Sequence, residues 1–463
     1  MDSRRFLEIG SPFSYNVCMK ETVSLVSLGC PKNLVDSEVM LGLLAKDGYV
    51  LTSDPSKAQI LIVNTCSFIE EATREAIDTI LRLSRYKKEG SCRLLVVSGC
   101  LPQRYGKRLE KELPEVDFFV GTGAFQTIAG ILSHQPAKKS VLTKETFLYD
   151  EKTPRILSTP SFSAYLKIAE GCSKRCTFCT VPNIRGPYRS RRIVSILEEA
   201  RRLSDQGVRE LILIAQDTTA YGEDLRDGSN LERLLRGLAR VDDLRWIRLL
   251  YAYPKLSYFS EGLLELMAGE DKICRYIDLP IQHIDDEILR RMGRRSKRRE
   301  IRDVLERIKT SLPEVSLRTS LIVGFPGERE SQFESLLGFV REMEFDHLGA
   351  FKYSAEEGTP ASRLPDQIPA EVKEERLGIL MELQKGISLG RHKKMVGRSV
   401  RAVIESAGSE RGMLKARLRT QAPEIDGSIF LRGEAKPGDW VRARVTRALP
   451  YDLIGEIEGS SSK

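Results

Sequence analysis

The chain has 463 residues, too many for one ordinary domain, and its length alone favours two to four. Its 41% hydrophobic and 30% charged content describe a folded globular protein and argue against a disordered or fibrous chain. A net charge of +8 is compatible with a phosphate-bearing partner but is spread over too many residues to point to one.

The first twenty-one residues, "MDSRRFLEIGSPFSYNVCMKE", read as a leader (1–21) without the apolar core of a signal peptide. No later run approaches a membrane span, so the expected compartment is the cytoplasm, with no membrane partner. In that compartment nine cysteines are expected to be metal ligands, catalytic groups or buried apolar residues rather than disulfides. From Val23 to His134 strands and helices alternate. "VSLVSLG" leads into "DSEVMLGLLAKDG", where Asp36 or Ser37 could cap the helix and Gly48 stop it. "QILIVNT" leads into "EEATREAIDTILRLSRYKK", and "RLLVVSG" into "PQRYGKRLEKEL". The alternation predicts an open parallel-sheet α/β domain over 22–135, followed by a connector over 136–160.

Between Ala164 and Ser354 six further strands are expected, "AYLKIAE", "ELILIAQD", "WIRLLYA", "YIDLPIQ", "LRTSLIVG" and "HLGAFKYS", with helical segments between or after them. Six βα units predict a partial (β/α) barrel within 161–395, whose chemistry belongs on the loops after the carboxyl ends of the strands. A helix around Glu371 to Gly390 closes that domain, its apolar residues recurring every three or four positions. After Gly397 the texture changes to short alternating strands, predicting a small antiparallel barrel over 396–460.

"EGCSKRCTFCTVPNIRG" places Cys172, Cys176 and Cys179 in a C-x3-C-x2-C arrangement directly after the first strand of the six-unit domain. Thiolates so spaced can hold one four-iron cubane and leave one iron without a protein ligand, as a catalytic metal requires. A zinc site would want a fourth Cys or His close by, and none of the four histidines is near in sequence. Cys30, Cys66 and Cys100 each end a predicted parallel strand of the first domain, so they converge on the edge where α/β sheets place ligands. Their alternative is plain burial, which does not favour the last position of three separate strands. Cys18, Cys92 and Cys274 have no such placement; Cys274 is expected in a loop, and all three read as non-ligands.

C-x3-C-x2-C after the first strand of a six-unit βα domain resembles the radical S-adenosylmethionine (SAM) superfamily. That resemblance implies a [4Fe–4S] cluster whose open iron binds SAM and, on one-electron reduction, cleaves it to a 5′-deoxyadenosyl radical. The loops "AQDTTAYG" and "VGFPGE" fit the holding of that cofactor, with Gln216, Asp217, Gly324 and Gly327 as candidate contacts. Taken alone, the two glycines would be assigned to backbone geometry.

A domain with three spaced cysteines, then a radical domain, then a small β-barrel, resembles the methylthiotransferase family. The resemblance runs from about Val23 to Glu458. It implies a second [4Fe–4S] cluster on Cys30, Cys66 and Cys100 that takes part in sulfur delivery, two SAM molecules per turnover, and an electron donor such as a flavodoxin or ferredoxin. "SLGCPKNLVDSE", "KIAEGCSKRCTFCTVPNIRGPYRSR" and "APEIDG" look like the RimO type, which modifies the β-carbon of an aspartate in ribosomal protein S-twelve. The tRNA-modifying members usually show a word closer to C-Q-M-N after the first cysteine. The barrel resembles a TRAM module; twelve Lys or Arg against nine Asp or Glu from Gly397 onward make it nearly balanced in charge. Glu424 and Asp426, on one expected turn, are its candidate substrate contacts, although Asp-Gly is also ordinary turn chemistry. Two basic runs, "RRMGRRSKRRE" (290–300) and "RGPYRSRR" (185–192), could contact an anionic surface such as rRNA or be ordinary solvated segments. Methylthiolation of a tRNA adenosine, and a non-catalytic iron–sulfur or RNA-binding assembly factor, stay open as alternatives.

Overall fold

The computed structural model describes residues 21–143, 147–408 and 412–458, and the backbone of Arg5 and Phe6. Cys18 lies outside the described residues. In the first domain, Thr22–Ser27, Ile60–Thr65, Leu94–Gly99, Phe118–Gly121 and Ser140–Val141 pair in that order, all parallel. Val50–Leu51 adds a parallel pairing at one edge, and Arg5–Phe6 an antiparallel one. Ile60, Leu61, Ile62 and Val63 are each fully buried. Helices cover both faces of the sheet, so a continuous apolar run replaces the alternation expected of a half-exposed strand.

The helix Pro31–Lys46 begins earlier than the sequence suggests. Pro31 stands at its first turn, where a missing N–H costs nothing, and Cys30 takes the cap position. Asp36 and Ser37 are therefore not caps; both lie inside the helix and are buried. Gly48, at φ +90°, follows its end as expected.

The central domain carries Ser163–Lys167, Glu210–Ile214, Trp246–Leu249, Ile273–Asp278, Ser316–Val323 and His347–Lys352 in sequence order, every neighbouring pair parallel and the sheet left open. Cys274 belongs to the fourth of these strands rather than to a loop, and is buried in the apolar cluster that includes Tyr276 and Trp246. The long helix Ala370–Lys393 packs beside the last strand. One apolar cluster runs from Val23 and Ile60 of the first sheet through Tyr165, Ile212 and Trp246 to Val403 and Ala422 of the last domain. The three domains thus share a core.

The last domain is a closed five-stranded barrel, but not a purely antiparallel one: Ile429–Arg432 pairs in parallel with Leu453–Ile457. The hairpin of Trp440–Ala448 with Leu453–Ile457 returns the chain in the direction of Ile429–Arg432, and this closes the barrel. It docks on the amino ends of the central strands. Arg417 forms a buried ion pair with Glu210, Ser316 Oγ donates to Thr420 O at 3.0 Å, and Trp440 meets Trp246 edge to face at 4.4 Å. Glu210, Trp246 and Ser316 each begin a strand. The carboxyl ends are left to the first domain.

Candidate active site at the facing strand ends

The register of the first sheet aligns Ser27 with Asn64 and Thr65 with Gly99. Cys30, Cys66 and Cys100 follow these ends closely, so all three emerge at one sheet edge. Burial pushes the Cys66 and Cys100 thiols up, and neighbouring cysteines of the triplet push them further. Gly29, at φ +87°, makes the approach possible: a Cβ there would lie 2.4 Å from the Cys66 Cβ. Binding iron at this edge requires the thiols to lose their protons, which couples cluster loading to proton release.

Cys172, Cys176 and Cys179 occupy the loop between Ala169–Glu170 and the short helix Val181–Arg185. Burial raises Cys172 to about 11 and Cys179 to about 12, with neighbouring cysteines adding to both. The loop is anchored from outside. Thr177 N donates to Met292 O at 2.9 Å, Thr177 Oγ1 to Arg291 O at 2.7 Å, and Phe178 meets Phe325 with ring centres 6.4 Å apart. Among the described residues no three His, Cys, Asp or Glu side chains are placed as ligands of a single ion. The fit to be judged is therefore to a cluster.

Gln216 and Asp217 follow the second central strand. Gln216 Nε2 donates to Glu170 Oε1 at 2.6 Å, while its own carbonyl oxygen is buried without a hydrogen-bond partner. Asp217 is buried and its carboxyl pushed up; Lys174 Nζ stands 3.4 Å from it. The Thr180 hydroxyl, beside Cys179, is likewise buried and unpartnered. Cys172, Lys174, Tyr188, Asp217, Tyr253 and Tyr258 line a cavity of about 510 Å³. Three thiols around unpartnered buried polar atoms are the donor set that a cluster with a polar organic cofactor would use. Gly324 and Gly327 instead meet protein: added Cβ atoms would lie 2.3 Å from the Lys373 side chain and 1.6 Å from the Arg291 guanidinium. Their loop carries Phe325 against the cysteine loop and so acts by supporting it.

A buried charge network joins the two cysteine triplets. Lys167 Nζ donates to Asp36 at 2.5 Å and Glu170 at 2.7 Å; Arg185 pairs with Asp36 at 2.6 Å and Glu170 at 3.2 Å. Arg185 also donates to Asn33 Oδ1 and to Cys100 Sγ, the latter at 3.6 Å. Burial alone would raise Glu170, but Lys167 and Arg185 hold it down at about 2. Glu38 completes the seam, paired with Arg155 at 2.6 Å. Asn33, Asp36, Ser37 and Glu38 of "CPKNLVDSE" are thus buried polar groups that lock the first domain onto the second.

Lys32, half-buried, projects from the same helix start, its Nζ 3.3 Å above the Tyr251 ring. Burial pulls its ammonium below the usual lysine value. Tyr251 adopts φ +64°, its N–H donating to Asp278 Oδ2 at 3.0 Å and its carbonyl accepting from Thr218 N at 3.0 Å. Arg318 holds the other Asp278 oxygen at 3.0 Å. Lys32, Glu170, Arg185 and Tyr251 were not singled out from sequence. Arg185 had a signal, being part of "RGPYRSRR"; a left-handed tyrosine leaves none.

Family models match the chain in three places: the uncharacterized protein family UPF0004 over residues 22–121, the radical SAM superfamily over 166–340, and the TRAM domain over 396–457. The ribosomal protein uS12 methylthiotransferase RimO of Geobacter sulfurreducens is 52% identical over 443 residues, covering 95% of this chain and 99% of that protein. The protein of the same name from Syntrophus aciditrophicus is 50% identical over 453 residues, covering 96% and 100%. The chain belongs to the RimO methylthiotransferase family. Beyond it, the fold is shared with the radical SAM methyltransferase TsrM of Kitasatospora setae, at a TM-score of 0.51 and 16% identity over 72% of this chain and 73% of that one.

Against that family frame two expectations need correction. Asp426 is not a free substrate contact: its side chain is 1% exposed, accepts from Tyr276 Oη at 2.7 Å and Ala422 N at 2.8 Å, and lies 3.3 Å from Arg318. It docks the barrel. Glu424, at φ +69° on the same turn, is exposed. The basic runs are also more internal than their charge suggests. Arg185 and Arg191 are buried in ion pairs, and Arg294 lies over the Tyr253 ring, donating to Pro280 O. Arg290, Arg295, Lys297 and Arg299 remain exposed.

Proposed function

We propose that this RimO-family chain is a radical SAM methylthiotransferase that replaces a hydrogen on the β-carbon of an aspartate in ribosomal protein uS12 with a methylthio group. Cys172, Cys176 and Cys179 hold the SAM-binding cluster, and Cys30, Cys66 and Cys100 hold a second, sulfur-delivering cluster. The observation that carries the reading is the facing of the two cysteine triplets across one buried seam, joined by Arg185 and Glu170. The two clusters and SAM supply the sulfur, the methyl group and the one-electron chemistry; the chain's own residues position them and keep water away.

Gln216 and Asp217 offer acceptors to a polar cofactor beside Cys172. Lys167 and Arg185 neutralise Asp36 and Glu170, so the seam can be dry without an unpaired charge. Barrel docking at the amino ends leaves the carboxyl ends open to a macromolecular substrate, and exposed Glu424 suits a basic ribosomal protein. A flavodoxin- or ferredoxin-type reductant supplies the electron, and the compartment is the cytoplasm.

Anaerobically reconstituted protein is expected to carry about eight irons per chain, two cubanes. About four irons, unchanged on joint replacement of Cys30, Cys66 and Cys100, would remove the second cluster. Mass spectrometry of uS12 and tRNA from a deletion strain is expected to show the methylthio group lost from uS12 alone. Loss from tRNA with uS12 intact would turn the reading to the adenosine.

A further inference from the structure

Lys32 is a cation without a carboxylate of its own. Among the described residues none pairs with it; its ammonium rests on the Tyr251 ring at 3.3 Å. The neighbouring carboxylates are already engaged. Glu170 is held by Lys167, Arg185 and Gln216, and Asp278 by Arg318 and the Tyr251 N–H. The unpaired charge stands two residues after Cys30, where the first domain's strand ends face the ends of the second, third and fourth central strands. Its platform is strained. Tyr251 is held at φ +64° by Thr218 and Asp278 together, and such conformations persist where surroundings enforce them and concentrate at functional sites.

We infer that Lys32, standing on the Tyr251 ring, receives the side-chain carboxylate of the acceptor aspartate. The inference rests on the methylthiotransferase reading above and names the group that selects its substrate. The acceptor β-carbon is bonded directly to the carboxylate carbon, so fixing the carboxylate at one ammonium fixes the carbon to be modified within a bond length. A nucleobase acceptor brings no anion to this point. The tRNA-type word C-Q-M-N accordingly places an uncharged methionine where "CPKN" has Lys32. A charge-assisted hydrogen bond in a partly dry site, shared with an aromatic face, gives the contact its strength.

The test uses the reconstituted two-cluster enzyme with recombinant uS12 and with uS12 whose acceptor aspartate is changed to asparagine. Affinity is read by fluorescence anisotropy and turnover as KM and kcat separately, with iron content and the EPR spectra of both clusters recorded throughout. Lys32→Met is expected to weaken binding of the aspartate form about tenfold to a hundredfold, mainly through KM, and to leave the asparagine form unchanged. Lys32→Arg is expected to restore most of the preference, with iron content and EPR spectra as in the wild type. Equal affinity of wild type and Lys32→Met for the aspartate form would overturn the inference and leave the methylthiotransferase reading standing. Altered EPR spectra with the aspartate preference intact would overturn it too, assigning Lys32 to the cluster instead. A wild-type enzyme that neither binds nor modifies uS12 overturns the reading itself, and is seen before any variant is made.

Discussion

The Arg185 guanidinium stands 3.6 Å from the Cys100 thiol, although the two residues belong to different domains and to different cysteine triplets. Arg185 closes the short helix that follows Cys179, while Cys100 ends the third strand of the first sheet. One planar donor therefore spans the seam, touching Asp36, Glu170, Asn33 and Cys100 with its fork. A lysine could supply the charge but not the several directed donors.

Replacing Arg185 by methionine leaves Asp36 and Glu170 to share Lys167 alone. Breaking a buried pair from one side costs about 3–5 kcal/mol, so thermal unfolding should move to clearly lower temperature. Iron should fall from about eight toward about four per chain, with the EPR signal of the Cys172–Cys179 cluster retained. Arg185→Lys should be intermediate in both. Full iron and unchanged melting in Arg185→Met would remove Arg185 from the seam's support.

Gly29→Ala should act on the second cluster alone. An added methyl would press on Cys66 at 2.4 Å, and the left-handed backbone adds about 1–2 kcal/mol of strain. Gly207 is the control, because it shares the positive φ (+98°) but has open space around its Cβ position. Gly207→Ala should lose only the backbone strain and keep its iron. Similar iron loss in both variants would mean that general destabilisation, rather than the approach of Cys66 to Cys30, governs loading.

Asp426→Asn should loosen the barrel without touching the chemistry. The carboxylate accepts from Tyr276 and Ala422 and faces Arg318 and His347, so its loss leaves a buried guanidinium short of charge, again at a cost of about 3–5 kcal/mol. Hydrogen exchange should accelerate in residues 399–457 first. Glu424→Gln, on the exposed side of the same turn, should stay within about 0.5 kcal/mol of the wild type. Equal exchange in the two variants would contradict the docking role.

Much of this was legible in the sequence because it depends on local pattern. The six central strands follow from continuous apolar runs separated by helical periodicity, and the cysteines announce themselves by ending strands. What was not legible depends on distant partners. "RGPYRSRR" reads as a charged surface until Asp36, 149 residues before Arg185 in the chain, is seen to bury it. Asp36 and Ser37 look like helix caps for the same reason: short polar residues near a helix start are usually solvated, and here the second domain covers them. Tyr251 carries no sequence sign of its positive φ, which Thr218 and Asp278 impose from neighbouring strands.

His283 gives the fold a pH dependence in a mildly acidic range. The ring is fully buried; its Nδ1 accepts from the Asp285 N–H at 3.0 Å, and its Nε2 has no hydrogen-bond partner, with Glu328 3.8 Å away. Burial pushes its pKa down from 6.5 to about 4, Asp285 opposing and Arg376 assisting. Between those values the unfolded chain holds the extra proton and the folded chain does not. Stability from this group is therefore complete above about pH 6.5 and falls as pH drops toward 4, by on the order of 3 kcal/mol. Urea midpoints measured at pH 7, 5.5 and 4.5 should show that decline in the wild type. His283→Asn keeps an acceptor for the Asp285 N–H but cannot titrate, so its midpoints should fall less steeply over the same interval. Parallel declines in the two proteins would move the acid sensitivity to other groups.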